Sequence, residues 1–215
     1  MNIFTNIIYT TFLFNLISMN MLAQSTQVAG IYSLSGMREM AGGFEFNQDN
    51  SFRFYYSYGA VDRFAEGTYS FVDKKIFLKS NKEAGRDFII TKQSALSKGF
   101  TIKVTDKNQY LAETVRCVVL NDSRQEVFFA DKAGVIKIDL PKASKIYLQH
   151  QLFPDILSLV KDESNPNDYF EVELSPLLQQ VSFKGIDLTL DGDTLKMPTN
   201  YFMPFENIRF VKNQE

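Results

Sequence analysis

Residues 43–58 read GFEFNQDNSFRFYYSY, and they decide the fold class. Aromatic and polar side chains alternate on both sides of a polar turn, a period of two that is typical of strands with one buried face. The turn residues Gln48 to Asn50 favour a tight reversal, because Asn and Asp side chains bond nearby backbone and tolerate left-handed geometry. The stretch therefore predicts a β-hairpin. The second strand puts four aromatic side chains on one face: Phe52, Phe54, Tyr56 and Tyr58.

The same alternation continues on both sides of this hairpin. Residues 28–34 predict a preceding strand, and residues 64–71, 75–79 and 88–91 predict strands that follow at short intervals. About six short strands joined by short loops form an antiparallel meander. We expect this meander to be a small or open barrel spanning residues 25–95.

The polar stretch Gln93 to Lys98 predicts a domain boundary. Beyond it, short alternating segments are separated by turn sequences, and no long stretch has the i, i+3, i+4, i+7 spacing of a helix. Regularly spaced short strands favour a β-sandwich over residues 98–215. The predicted fold class is all-β: an N-terminal antiparallel meander and a C-terminal β-sandwich, preceded by a signal helix.

The N-terminal segment predicts export. The first charged side chain is Arg38, and residues 3–23 are strongly apolar. Polar Asn and Thr residues interrupt this run, which favours a cleaved signal peptide over a permanent membrane anchor. We expect the signal peptide to span residues 1–23, with cleavage between Ala23 and Gln24. The mature protein would reach the periplasm, the cell surface or the medium, and membrane attachment would require an uncleaved leader.

Composition narrows the classes of function. The chain has 215 residues and a net charge of −2, which gives no reason to expect a nucleic-acid partner. Its 20 Phe and 10 Tyr favour strands, because aromatic side chains suit a half-buried pleated surface. The single cysteine excludes an intramolecular disulfide, so the exported fold must rest on its apolar core.

Signals for catalysis or metal binding are weak. Cys117 lies in the apolar run VRCVVL and is expected to be a buried, inert thiol. His150 is the one histidine, so a Ser-His-Asp or Cys-His arrangement would have to use it. Its period-two spacing after apolar residues favours a place at the edge of the core instead. Asp191-Gly192-Asp193 favours a hairpin turn over a calcium loop. We expect no metal and no cofactor.

The aromatic face of the hairpin is the strongest candidate for ligand binding, because aromatic rings offer large contact area to apolar molecules or sugars. The alternative is that the same rings fill the inside of a barrel. A second alternative uses the carboxylates Asp62 and Glu66 in a weak hydrolase, which requires them to converge in a cleft. The candidate ligand-binding residues are Phe52, Phe54, Tyr56, Tyr58 and Arg63.

Two family resemblances support a division into two parts. The pattern of the first part is Gly30-Ile31-Tyr32, Phe46-x-x-Asp49-x-Ser51-Phe52-x-Phe54, Gly67-x-Tyr69 and Ile76-x-Leu78. It resembles the meander of small lipocalin-like modules of exported bacterial proteins, over residues 28–91. True lipocalins close eight strands around a ligand.

The second resemblance covers residues 100–174. The sequence ADKAGVIKIDLP at residues 130–141 is similar to the Asp-x-x-Gly turn of transthyretin-like, carboxypeptidase-regulatory-type sandwiches. Such domains are non-catalytic appendages of exported enzymes and outer-membrane receptors. Neither resemblance supplies catalytic residues, and both imply binding or scaffolding.

These features predict an exported, non-enzymatic binding or accessory module of the Gram-negative envelope. Its expected partner is a small apolar or sugar ligand, or a protein. Two alternatives remain: a structural or assembly subunit that pairs through a sheet edge, and a weak carboxylate-based hydrolase. The aromatic face distinguishes these possibilities by lying in a closed core or in an open cavity.

Overall fold

The computed structural model describes residues 27–95, 98–122 and 124–214, so the predicted signal peptide lies outside it. The described residues are all-β, with sixteen strands and one short helix. The elements are β1 (Gly30–Ser35), β2 (Met40–Phe46), β3 (Ser51–Tyr58), β4 (Val61–Val72), β5 (Lys75–Ser80), β6 (Phe88–Ser94), β7 (Phe100–Thr105), α1 (Gln109–Glu113), β8 (Val115–Asn121), β9 (Arg124–Phe129), β10 (Val135–Ile138), β11 (Lys145–His150), β12 (Ser158–Lys161), β13 (Tyr169–Leu174), β14 (Asp187–Asp191), β15 (Thr194–Met197) and β16 (Ile208–Lys212).

The hairpin predicted from residues 43–58 is formed by β2 and β3, with Phe46 opposite Phe52. Its turn follows the predicted chemistry. The Asp49 carboxylate accepts a hydrogen bond from the Ser51 N–H at 2.9 Å, and Asn50 adopts a left-handed φ of 65°. Side-chain capping and a left-handed residue reverse the chain within four residues, which fixes the register of both strands.

Eight strands close into an antiparallel barrel in the order β1-β16-β15-β14-β5-β4-β3-β2. Five of them precede residue 81, and the other three follow residue 186. Closure needs two long-range pairings, β14 with β5 (Leu188 opposite Ile76) and β16 with β1 (Phe210 opposite Leu34). The expected meander is therefore part of a complete eight-stranded barrel.

The segment between β5 and β14 forms two four-stranded sheets, in the orders β10-β7-β13-β6 and β12-β11-β8-β9. They enclose a core of their own, which includes Ile102, Ile146 and Phe170. The sandwich thus occupies residues 88–174, and the chain returns to the barrel afterwards. This arrangement differs from a division at residues 95–98: β6 belongs to the sandwich, and β14 to β16 belong to the barrel. Alternation shows which face of a strand is buried, but not which strand lies beside it.

Candidate functional site

The aromatic face of β3 lies mainly in the barrel core. Phe52, Phe54 and Tyr56 are buried, whereas Tyr58 is half-exposed at the barrel end. The Phe54 ring centroid lies 4.7 Å from that of Phe44 and 5.2 Å from that of Phe183. Tilted and edge-on contacts of this kind fill space at core density. A ligand could reach the three buried rings only by displacing their neighbours.

Arg63, the remaining sequence candidate, is also buried, at the end of the barrel nearest the sandwich. Its guanidinium donates hydrogen bonds to the carbonyls of Pro154, Gln179 and Gln180 at 3.1–3.2 Å. It also lies 5.8 Å from the Phe153 ring centroid, a cation–π contact. Pro154 lies in a loop of the sandwich, and Gln179 and Gln180 lie in the segment that follows it, so Arg63 joins the two units.

A buried ionic cluster lies at the same junction. Lys82 Nζ is 2.6 Å from Asp87 Oδ1 and 2.9 Å from Asp155 Oδ2, and the three side chains are at most 2 % exposed. Lys82 also donates to the Gln180 carbonyl at 2.8 Å. Burial raises the pKa of Asp87 to about 6. Together with Arg63, the cluster holds two cations and two carboxylates, so its formal charges balance.

The cluster extends to two hydroxyl groups. Ser182 Oγ donates to Asp155 Oδ1 at 2.6 Å and lies 3.1 Å from the Tyr201 hydroxyl, which in turn donates to the Ser182 carbonyl. Burial raises the pKa of Tyr201 above its ordinary value. Every polar group named here is engaged within the protein, and the arrangement supports a role in joining barrel and sandwich. The sequence signals missed it because Lys82 and Asp87 lie in one loop and Asp155 lies about 70 residues further on, and no pattern in either loop links them.

His150 is buried in the sandwich, consistent with the core role expected from its spacing. Nδ1 accepts hydrogen bonds from the N–H groups of Leu152 and Phe153 at 3.2 Å. Nε2 must then carry the proton of the neutral ring, and it donates to the Leu111 carbonyl at 3.1 Å. Burial lowers the pKa of His150 to about 4. Cys117 is buried as predicted, and burial raises the pKa of its thiol to about 12.

The carboxylate pair of the hydrolase alternative does not converge. Asp62 and Glu66 lie four residues apart on the exposed face of β4, which separates them by about 13 Å along an extended strand. Glu66 instead lies 3.8 Å from Arg53. Among residues 27–95, 98–122 and 124–214, no three His, Cys, Asp or Glu side chains group as a metal site requires.

The sheet-edge alternative can be examined at β6, an edge strand of the sandwich that exposes Ile89 and Ile90. Its pairing with β13 shifts register between Glu171 and Val172, and Lys92 points to solvent beside Glu171. Bulges and lysines are the devices that discourage pairing between sheet edges. In the part of the chain that the structure describes, no helix is long and apolar enough to span a membrane.

An apolar groove of about 400 Å³ lies on the outer wall of the barrel, across β1 to β4. Its apolar wall is formed by Ile31, Tyr55 and Phe64, with exposed fractions of 54 %, 53 % and 43 %. Tyr55 and Phe64 are directly opposite each other on neighbouring strands. The three side chains lie on the face that alternation assigns to solvent, so their apolar character is the sequence signal for the groove.

A row of alternating charge crosses the groove beside Tyr55 and Phe64 and ends at Ile31, which is opposite Glu45 on β2. Glu45, Arg53 and Glu66 are opposite one another on β2, β3 and β4. The Arg53 guanidinium lies 3.8 Å from a carboxylate oxygen of each glutamate. At that distance the pairs are loose, and exposed pairs of this kind contribute little to stability. Their hydrogen-bonding capacity is therefore open to a ligand in the groove.

The chain matches no protein-family model, no curated protein and no solved structure. The lipocalin-like and transthyretin-like resemblances therefore stay predictions. What the structure shows is the coarser architecture, an eight-stranded closed barrel with two additional four-stranded sheets.

Proposed function

We propose that the protein is an exported, non-enzymatic binding or accessory module of the Gram-negative envelope, and that it binds a small ligand on the outer wall of its barrel. The observation that carries this proposal is the groove lined by Ile31, Tyr55 and Phe64, three large apolar side chains that are each about half-exposed. Contiguous exposed apolar surface of this kind is typical of binding sites. A groove of about 400 Å³ suits a small molecule.

The barrel interior supports an outer site rather than a central one. The space that lipocalins use for a ligand is lined here by aromatic side chains in mutual contact, among them Phe44, Phe54 and Phe183. Burial of these rings is a large source of stability, about 2 kcal/mol for each fully buried side chain. Opening the interior for a ligand would forfeit much of that stability.

The arrangement of ionisable groups supports a non-enzymatic role. His150 is buried with both ring nitrogens bonded to backbone groups. The carboxylate of Asp155 is engaged by Lys82 and Ser182 in the junction. Asp62 and Glu66 face solvent at a separation too large for paired acid–base work. Export is supported by the charge-free apolar residues 3–23.

The test is binding of Nile red, a neutral apolar dye whose fluorescence rises in apolar surroundings. Phe64→Ser removes one wall of the groove, and we expect it to weaken dye binding about tenfold. The matched control is Phe129→Ser on β9, since Phe129 is 59 % exposed and belongs to the sandwich. Equal loss of dye binding in both variants, or failure of the folded protein to bind either this dye or neutral hexasaccharides, would contradict a binding site in the groove.

A further inference from the structure

Resting on the proposed function, we infer that the ligand of the outer groove is a carbohydrate. A sugar ring has an apolar C–H face and an edge of hydroxyl groups. It is recognised by a flat aromatic surface next to paired hydrogen-bond donors and acceptors. The groove presents both elements side by side, as the geometry of Tyr55 and of the charged row shows.

The Tyr55 ring packs against the sheet backbone because its cross-strand neighbour has no side chain. It is opposite Gly43 on β2, and a Cβ built on Gly43 would lie 2.8 Å from Tyr55 Cε1. The tyrosine ring therefore covers the glycine, and 53 % of the residue stays exposed to solvent. A ring packed against the backbone gives a ligand an aromatic contact at small cost in side-chain entropy.

The hydrogen-bonding groups that a sugar needs lie two residues along β3 from Tyr55. Arg53 is two residues from Tyr55 on the same face of β3, at a distance of about 7 Å along the strand. Glu45 and Glu66 flank it on the adjacent strands. Carboxylate oxygens accept hydrogen bonds from hydroxyl groups, and the guanidinium donates to hydroxyl oxygens. Two neighbouring hydroxyls of a sugar resting on Tyr55 would meet this donor–acceptor row.

The same features disfavour a purely apolar ligand such as an acyl chain. The groove lies on the outer surface of the barrel, so a chain lying in it would keep part of its surface in water. It would also remove water from Glu45, Arg53 and Glu66 without replacing the lost hydrogen bonds, which is costly for charged groups. A sugar replaces those bonds and needs contact with one aromatic face only.

The test compares two ligands on one set of variants. The sugars are neutral hexasaccharides (maltohexaose, cellohexaose, chitohexaose and mannohexaose), titrated to about 10 mM by calorimetry. Nile red serves as the apolar probe. Tyr55→Leu keeps an apolar side chain but removes the flat ring, and we expect it to weaken sugar binding about tenfold while dye binding is kept. Arg53→Leu is expected to do the same by removing the donors.

Each variant has a matched control in the sandwich or its linkers. Tyr110, which is 56 % exposed on α1, is changed to Leu as the control for Tyr55. Arg86, about as exposed as Arg53, is changed to Leu as the second control. Circular dichroism and urea unfolding verify that all variants fold. Because Arg53 is an exposed, loosely paired side chain, its variant stays informative even if Tyr55→Leu is unstable.

The outcomes separate the two proposals. Loss of sugar binding in Tyr55→Leu and Arg53→Leu, with intact binding in both controls, supports the carbohydrate site. Dye binding at the groove without binding of any hexasaccharide overturns the carbohydrate inference and leaves the proposed function standing. Failure of both ligands overturns both. Sugar binding that is unchanged in Tyr55→Leu and Arg53→Leu places the sugar elsewhere and also overturns the inference.

Discussion

We expect His150 to make the folded protein sensitive to acid. Its neutral ring is fully buried, and Nδ1 accepts two backbone hydrogen bonds, from Leu152 and Phe153. A second proton on Nδ1 would break both bonds and put a charge into the sandwich core. Burial accordingly lowers the pKa of His150 from 6.5 to about 4.

The sign of the effect follows from proton binding in the two states. Between pH 6.5 and about 4, the unfolded chain takes up a proton on His150 that the folded chain does not. The free energy of unfolding therefore falls as the pH falls through this window, and it is fully restored above pH 6.5. At about 1.4 kcal/mol for each tenfold change in proton affinity, the loss amounts to about 3 kcal/mol.

Asp87 acts in the opposite direction over the same range. Burial raises its pKa from 3.8 to about 6, so the folded chain holds this proton more tightly than the unfolded chain. The free energy of unfolding then rises as the pH falls from about 6 to about 4, again by about 3 kcal/mol. Asp87 therefore opposes His150 in the native protein, and the contribution of His150 is measured as the difference between a His150 variant and the native protein.

The variant His150→Gln removes the contribution of His150 to the pH dependence of stability and keeps that of Asp87. We expect its free energy of unfolding, relative to that of the native protein, to improve by about 3 kcal/mol between pH 7 and pH 4. Urea unfolding followed by circular dichroism at several pH values measures this difference, and the comparison cancels the titration of all other groups. A difference that does not change with pH would refute the assignment of a buried neutral imidazole.

Two further predictions concern other buried groups. Lys82→Met removes the cation shared by Asp87 and Asp155, and we expect the free energy of unfolding, measured with urea, to fall by about 3 to 5 kcal/mol. The control is Lys92→Met at an exposed site, which is expected to leave the free energy of unfolding nearly unchanged. Cys117 should react with a thiol reagent far more slowly in the folded protein than in urea, because burial raises its pKa to about 12. Comparable rates in both states would contradict its burial.

Local features of the fold could be predicted from the sequence because their causes are local. The β2–β3 hairpin depends on alternation and on the turn chemistry of Asp49 and Asn50, both within a few residues. The burial of Cys117 and His150 likewise follows from apolar neighbours in the same strand. In each case the deciding physical interaction spans less than ten residues of chain.

The barrel could not be predicted in full because its closure is not local. The strand β14 pairs with β5 across about 110 residues of chain. Nothing in the sequence of either segment indicates that Leu188 lies opposite Ile76. A strand with one apolar face can pair with any strand of matching face and length. The sequence pattern therefore shows eight suitable strands without showing that the last three return to the first five.

The two functional features at the surface and the junction escaped prediction for different reasons. The ionic cluster at the junction joins Lys82 and Asp87, from the loop between β5 and β6, to Asp155 in the loop between β11 and β12, and single charged loop residues form no sequence pattern. The groove did leave a signal. Tyr55 and Phe64 are aromatic residues on the strand face that alternation gives to solvent, and such residues deserve as much weight as the buried face.

The position of the groove next to the junction follows from the two faces of β4. Arg63 points inward and binds the segments flanking the sandwich, whereas the next residue, Phe64, points outward and forms the groove wall. The backbone of Phe64 is also bonded to the chain leaving the sandwich, since its carbonyl accepts from the Val181 N–H at 2.8 Å. That end of β4 is thus held on one side by β3 and on the other by the residues after the sandwich. The inserted sandwich thereby helps to fix the geometry of the proposed binding wall before any ligand arrives.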